Sequence, residues 1–111
     1  TYYVRAPYGN ANKTVKSVVN APLIYWSVDP EDWDVHKRDT VLPRVLRGAA
    51  PGAIILMHDL SDNSVNAALR AVDTLQAEGW QFCTVSKLAK SAGAELTPGG
   101  VYSSFPPKAK D

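Results

Sequence analysis

The chain reads as a parallel α/β protein, and three observations predict it. Short apolar, β-branched or aromatic runs recur four times along its 111 residues, at 2–5, 23–28, 53–57 and 81–85. Helical patterns separate or follow them, and strand–helix alternation makes parallel strands joined by crossover helices. The distinctive polar residues fall just past the apolar runs, where parallel α/β architectures collect their chemistry. Four parallel strands are fewer than a barrel needs to close. Two architectures therefore stay open: a small doubly wound sheet, or half of a larger α/β barrel whose open edges require a partner segment.

Taken in order, the first run is Tyr2, Tyr3 and Val4, closed by Arg5. It starts with no lead-in residues after Thr1, and the only methionine is Met57, so a cropped or processed chain is expected. A helix over 12–20 puts Val15, Val18 and Val19 on one side. The second run, 23–28, precedes a helix over 39–47 carrying Val41, Leu42, Val45 and Leu46. Its Pro43 is tolerable only in the first turn, which favours Asp39 or Thr40 as N-cap. The third run, 53–57, is the longest clean apolar stretch and precedes the clearest helix, 64–78. There Val65, Ala68, Leu69, Val72 and Leu75 follow the helical spacing, and Gly79 stands at the C′ position. The fourth run, 81–85, leads to a short helix capped by Ser86. Residues 97–111 hold Pro98, Gly99, Gly100, Pro106 and Pro107 and read as a loop and tail behind a domain of 1–96.

Composition narrows the function classes. Apolar residues make up 45% and charged residues 21%, as in an ordinary globular domain. Twelve basic residues against eleven acidic ones leave a net charge of +1, too little for a nucleic-acid-binding field. No run approaches the ~20 apolar residues of a membrane span. The single Cys83 excludes an internal disulfide and a cysteine-based zinc cluster, and its place in an apolar run predicts inert packing.

Three run ends carry the polar groups. Arg5 is followed by Pro7, Tyr8 and Gly9; Asp29 by Asp32 and Trp33; and the third run leads directly into His58 and Asp59. An imidazole past a buried strand and near carboxylates can serve as a general acid, or can simply bond a loop carbonyl. His36 lies in a polar run and reads as a solvated surface residue. Asp29, Glu31, Asp32 and Asp34 lack the glycine and terminal glutamate of a calcium loop and read as a plain acidic loop. Trp33 reads equally as a core residue or a sugar-stacking platform. Asn12-Lys13-Thr14 matches the glycosylation acceptor pattern, which carries little weight by itself.

Together, Arg5-Ala6-Pro7-Tyr8-Gly9, Asp29-Pro30-Glu31-Asp32-Trp33 and Leu56-Met57-His58-Asp59 resemble the third, fourth and fifth motifs of the polysaccharide deacetylases, the NodB-homology carbohydrate esterases. The resemblance runs from about Tyr2 to about Ala92. It implies the C-terminal half of a distorted (β/α) barrel, and a metal-dependent hydrolase acting on acetylated sugar polymers of the peptidoglycan or chitin type. By resemblance, His58 is the general acid, Asp32 the carboxylate paired with it, and Arg5 the arginine that holds a catalytic aspartate of the first motif. Pro7, Tyr8 and Trp33 are implied as walls of the substrate groove, with the Tyr8 N–H helping to bind the oxyanion. Leu56 is implied as the pocket for the acetyl methyl, and Asp29 and Asp59 as supporting hydrogen-bond partners.

The family's first two motifs, with the base aspartate and the metal ligands, have no match in the chain. Its two histidines, His36 and His58, lie 22 positions apart. The resemblance therefore implies a divalent metal, zinc by preference, bound by an absent N-terminal segment of the same polypeptide. That segment, as a separate chain or cleaved fragment, is the expected partner. Extracellular or cell-surface action follows by resemblance alone. A catalytically inactive carbohydrate-binding or structural remnant is the alternative.

Overall fold

The computed structural model describes residues 3–6, 9–10, 12–34, 39–59 and 61–107. The extended segment 23–28 is its spine. Backbone donors from Leu23 to Tyr25 alternate in direction, as the period of two in a strand requires. Leu23, Tyr25 and Ser27 give their N–H groups to Gly100, Tyr102 and Ile54, whereas Ile24 gives its own to Val4 on the other side. One edge is thus held by Val4, in a parallel bridge to Leu23. The other edge is shared by two segments in succession. There β1 (Leu23–Ile24) pairs in parallel with β2 (Val101–Tyr102), and beyond that pair Val28 bridges Ile55 in parallel. Three of the four expected strand segments therefore lie side by side and parallel, as part of an α/β fold.

The helices form where the sequence places caps. Asn12 caps α1 (Lys13–Val18), its side chain accepting the Val15 N–H at 2.9 Å. Helix α2 (Val41–Gly48) starts at Thr40, which leaves Pro43 in the first turn, and buries Val41 and Val45. Helix α3 (Asp62–Ala77) is capped by the Ser61 hydroxyl. It stops at Gly79 (φ +95°), where the Gly79 and Trp80 N–H groups bond the Gln76 and Leu75 carbonyls. That pair of bonds satisfies carbonyls the helix would otherwise orphan, and Trp80 packs with Leu75 in the same cluster. Helix α4 (Val85–Ser91) is capped by Thr84, two residues earlier than the expected Ser86, and its last turn closes at Gly93 in the same manner.

Four expectations are corrected. First, α3 is rotated: it buries Ser64, Ala67, Ala71 and Leu75, while Val65, Leu69 and Val72 are exposed, Leu69 by 61%. Small residues on the inner face let α3 approach α2, and Val45, Ala71 and Leu75 form the core between them. Second, 81–85 forms no strand. Gln81 to Thr84 are exposed, Phe82 by 50%. Between this segment and Ile54, Ile55, Met57, Val72 and Leu75 lies a cavity of about 600 Å³. A parallel strand is stable only when covered on its faces, and nothing among the described residues covers Phe82 from outside. Third, Cys83 is consequently exposed at this cavity and is not inert packing.

Fourth, the supposed loop and tail is structured over 97–107. It supplies β2 and a buried Phe105 that packs with Ala89 and Ala92 and stacks on Tyr102. Phe105 donates its N–H to Gly52 O at 2.8 Å, and Ser104 bridges Ala53 in antiparallel fashion. Gly52 (φ +83°) is required there, because a Cβ would lie 2.0 Å from the Phe105 carbonyl oxygen.

Candidate active site

Loops leaving the spine and the 53–57 segment bring two candidate residues into contact. Asp32, on the turn after Val28, has a fully buried side chain, and His58 stands just past the bridge at Ile55. The Asp32 Oδ1 lies 2.8 Å from His58 Nδ1, and Oδ2 accepts the His58 backbone N–H at 2.7 Å. A buried carboxylate costs several kcal/mol unless donors meet it (roughly 2–7 for a polar group left unpaired). Here both oxygens are met. A carboxylate only accepts, so ring Nδ1 carries the hydrogen and Nε2 is left as the nitrogen facing outward chemistry. His58 remains about a third exposed, so the ring is open to a substrate.

The turn that carries Asp32 is fixed at several points. Asp29 Oδ1 accepts the Glu31 N–H at 2.9 Å, and Asp34 returns its N–H to Glu31 O at 3.0 Å. Glu31 adopts φ +56°, alone among the described non-glycine residues in the left-handed region. Arg44 of α2 pairs with Glu31 at 2.5 Å, and the buried Ser64 of α3 donates its hydroxyl to Asp32 O at 3.1 Å. Sequence reading placed Glu31 in a plain acidic loop and passed over Arg44 and Ser64. A left-handed glutamate leaves no mark in composition, and Ser64 is indistinguishable from a helix-start serine.

The other candidates are not gathered on the pair. Arg5 donates Nε to Ile24 O at 3.2 Å and Nη2 to Tyr25 O at 3.4 Å, with its guanidinium 5.9 Å from the Trp26 ring centre. Trp33 is 59% exposed, which excludes the core reading among the described residues. Leu56 is buried, its N–H bonded to Val28 O, while Asp29 and Asp59 are exposed. Pro7, Tyr8 and His36 lie outside the described residues.

Among the described residues, no group of three or more His, Cys, Asp or Glu side chains is gathered to hold a metal ion. The Asp32–His58 pair alone offers one outward ring nitrogen, Nε2, because both Asp32 oxygens are engaged by His58. No described helix is long and apolar enough to cross a membrane. The 600 Å³ cavity is lined by none of the candidate site residues.

No family model matches the chain. Curated relatives do. It is 39% identical over 85 residues to the peptidoglycan-N-acetylglucosamine deacetylase PgdA of Listeria monocytogenes, covering 77% of this chain and 18% of that protein. Identity and coverage are the same for the peptidoglycan-N-acetylmuramic acid deacetylase PdaC of Bacillus subtilis. Among solved structures, a T48 deacetylase with substrate superposes with a TM-score of 0.80 at 35% identity, over 91% of this chain and 50% of that one. The chain is homologous to polysaccharide deacetylases. A family 4 acetyl xylan esterase from Clostridium thermocellum, solved with a cobalt ion, shares the fold at 24% identity and a TM-score of 0.82, over 94% of this chain and 53% of that one. The chain thus spans about half the length of the solved deacetylases and about a fifth of the curated relatives. What it shares with the deacetylases is a partial α/β unit.

Proposed function

We propose that the chain contributes the general acid of a hydrolase removing acetyl groups from an N-acetylglucosamine-containing polysaccharide of the peptidoglycan or chitin type. One observation carries the reading: the Asp32–His58 pair on adjacent strand ends, within a chain homologous to deacetylases. The carboxylate at Nδ1 fixes the ring's orientation and leaves Nε2 as the nitrogen from which the ring gives its proton. As a tetrahedral intermediate collapses, the C–N bond breaks, its electron pair goes to the amine nitrogen, and the Nε2 proton goes with it. Acetate and a free amine are the products. General acid catalysis of this kind contributes about 10²–10⁴-fold.

Arg5, held on the Ile24 and Tyr25 carbonyls, is assigned to orient a carboxylate supplied by a segment outside these residues. Pro7, Tyr8 and the exposed Trp33 are assigned to the walls of the sugar groove, and Leu56 to the acetyl pocket. Asp29 and Asp59 are assigned to support, with Asp29 turning the loop through Glu31. A divalent metal, as in the related cobalt-bound esterase, supplies a Lewis acid in such chemistry. Its ligands and the base would lie outside the described residues, on further polypeptide of the same protein. The cell wall, outside the cytoplasm, is where this reading places the substrate.

Acetate release from N-acetylglucosamine oligomers by the intact protein tests the proposal. Loss of about 10²-fold or more in kcat for His58→Asn is expected, and an unchanged rate overturns the assignment.

A further inference from the structure

We infer that Arg44 and Ser64 are positioning residues for Asp32, a proposal that rests on the deacetylase reading above. Asp32 reaches His58 only because the chain reverses at Glu31. That residue adopts φ +56°, which a side-chain-bearing residue rarely takes up. Such backbone persists where its surroundings over-determine it. Two helices do so here. Arg44 of α2 binds the Glu31 carboxylate at 2.5 Å, and Ser64 of α3, itself 2% exposed, donates to the carbonyl of the next residue at 3.1 Å. Asp32 is held by its main chain on α3 and by its side chain on His58, with both carboxylate oxygens engaged.

The Glu31–Arg44 pair is about a third exposed, and pairs of that kind add little to global stability. Its effect falls on the local geometry of the turn. A small displacement of Asp32 would cost His58 its Nδ1 partner and turn the ring away from the leaving group. Displacements on the order of 1 Å reduce rates up to about 10²-fold.

The test compares Arg44→Ala, Glu31→Gln, their double variant, Arg44→Lys and Ser64→Ala in the intact protein, with exposed Arg47→Ala as control. Two readouts are taken: kcat and KM for acetate release, and the NMR resonance of the His58 Nδ1 proton. Arg44→Ala, Glu31→Gln and Ser64→Ala are expected to lower kcat about tenfold with KM within about twofold. Each is also expected to weaken or broaden the Nδ1 resonance. The double variant falls no further than Glu31→Gln alone, because the Arg44 link is already lost in it, and Arg44→Lys recovers part of the loss. Wild-type kcat in Arg44→Ala, additive losses, or a raised KM at constant kcat overturns the proposal. Should Arg44→Ala fail to fold, Glu31→Gln, which removes only the charge, decides. If the wild type releases no acetate, or His58→Asn releases as much, the deacetylase reading has failed. The Nδ1 resonance then still decides whether Arg44 and Ser64 position the pair.

Discussion

The carboxylate of Asp32 meets His58 twice, at ring Nδ1 (2.8 Å) and at the backbone N–H (2.7 Å). The second bond fixes where the carboxylate stands relative to the His58 main chain, so the first cannot rotate freely about χ1. The residues come from loops 26 positions apart and are joined across the parallel bridge of Val28 to Ile55.

Asp32→Asn tests that double contact. An amide presents one acceptor and one donor face to two donors, so one N–H loses its partner. We expect a loss of roughly 1.5–3 kcal/mol in unfolding free energy, as for a hydrogen bond to a charged group, and a fall in kcat of about 10²-fold. Urea denaturation and acetate release check the two parts. Unchanged values in both would remove Asp32 from the site.

Trp33→Ala separates binding from folding. Its ring is largely in solvent, so stability should stay within about 0.5 kcal/mol. If Trp33 walls the groove, KM for longer oligomers rises several-fold while the monomer is little affected. An oligomer KM equal to the wild-type value sinks the groove assignment.

Phe105→Ala tests the structured C-terminal segment. Phe105 is 5% exposed, and removing a buried aromatic costs about 3–5 kcal/mol. Amide exchange at Tyr25, whose N–H bonds Tyr102 O, should accelerate together with that of Phe105. Wild-type stability and exchange would show that 97–107 does not hold the domain.

Cys83 reports on the 81–84 segment. Exposed at the cavity mouth, its thiol should react with a small disulfide reagent without denaturant. Reaction only after unfolding would mean that this segment is covered, as a strand lying against 53–57 would be.

Much of the helical structure was legible because its signals are local. Pro43 fixed the first turn of α2, and Gly79 fixed the end of α3 through a backbone conformation that glycine adopts readily. The parallel neighbours Val4, 23–28 and 53–57 were legible from their alternation with helices. The face of α3 was not. Hydrophobicity favours Val65, Leu69 and Val72, but close packing on α2 favours alanines, and packing won. The pair Val101 and Tyr102 was too short a run to stand out between glycines and serines, and a strand of two residues exists only because β1 offers it an edge.

By itself the sequence determined the helices, the parallel class, and the residues Asp32 and His58 that the family resemblance marks as partners. These rest on periodicity, caps and motif order, all written along the chain. Tertiary structure alone decided that Asp32 is buried against His58, that Glu31 meets Arg44 of α2 while the Asp32 carbonyl meets Ser64 of α3, and that 81–84 stays out of the sheet. Each of those depends on surfaces brought together from distant positions, and the free energy of such contacts belongs to the pair and not to either residue.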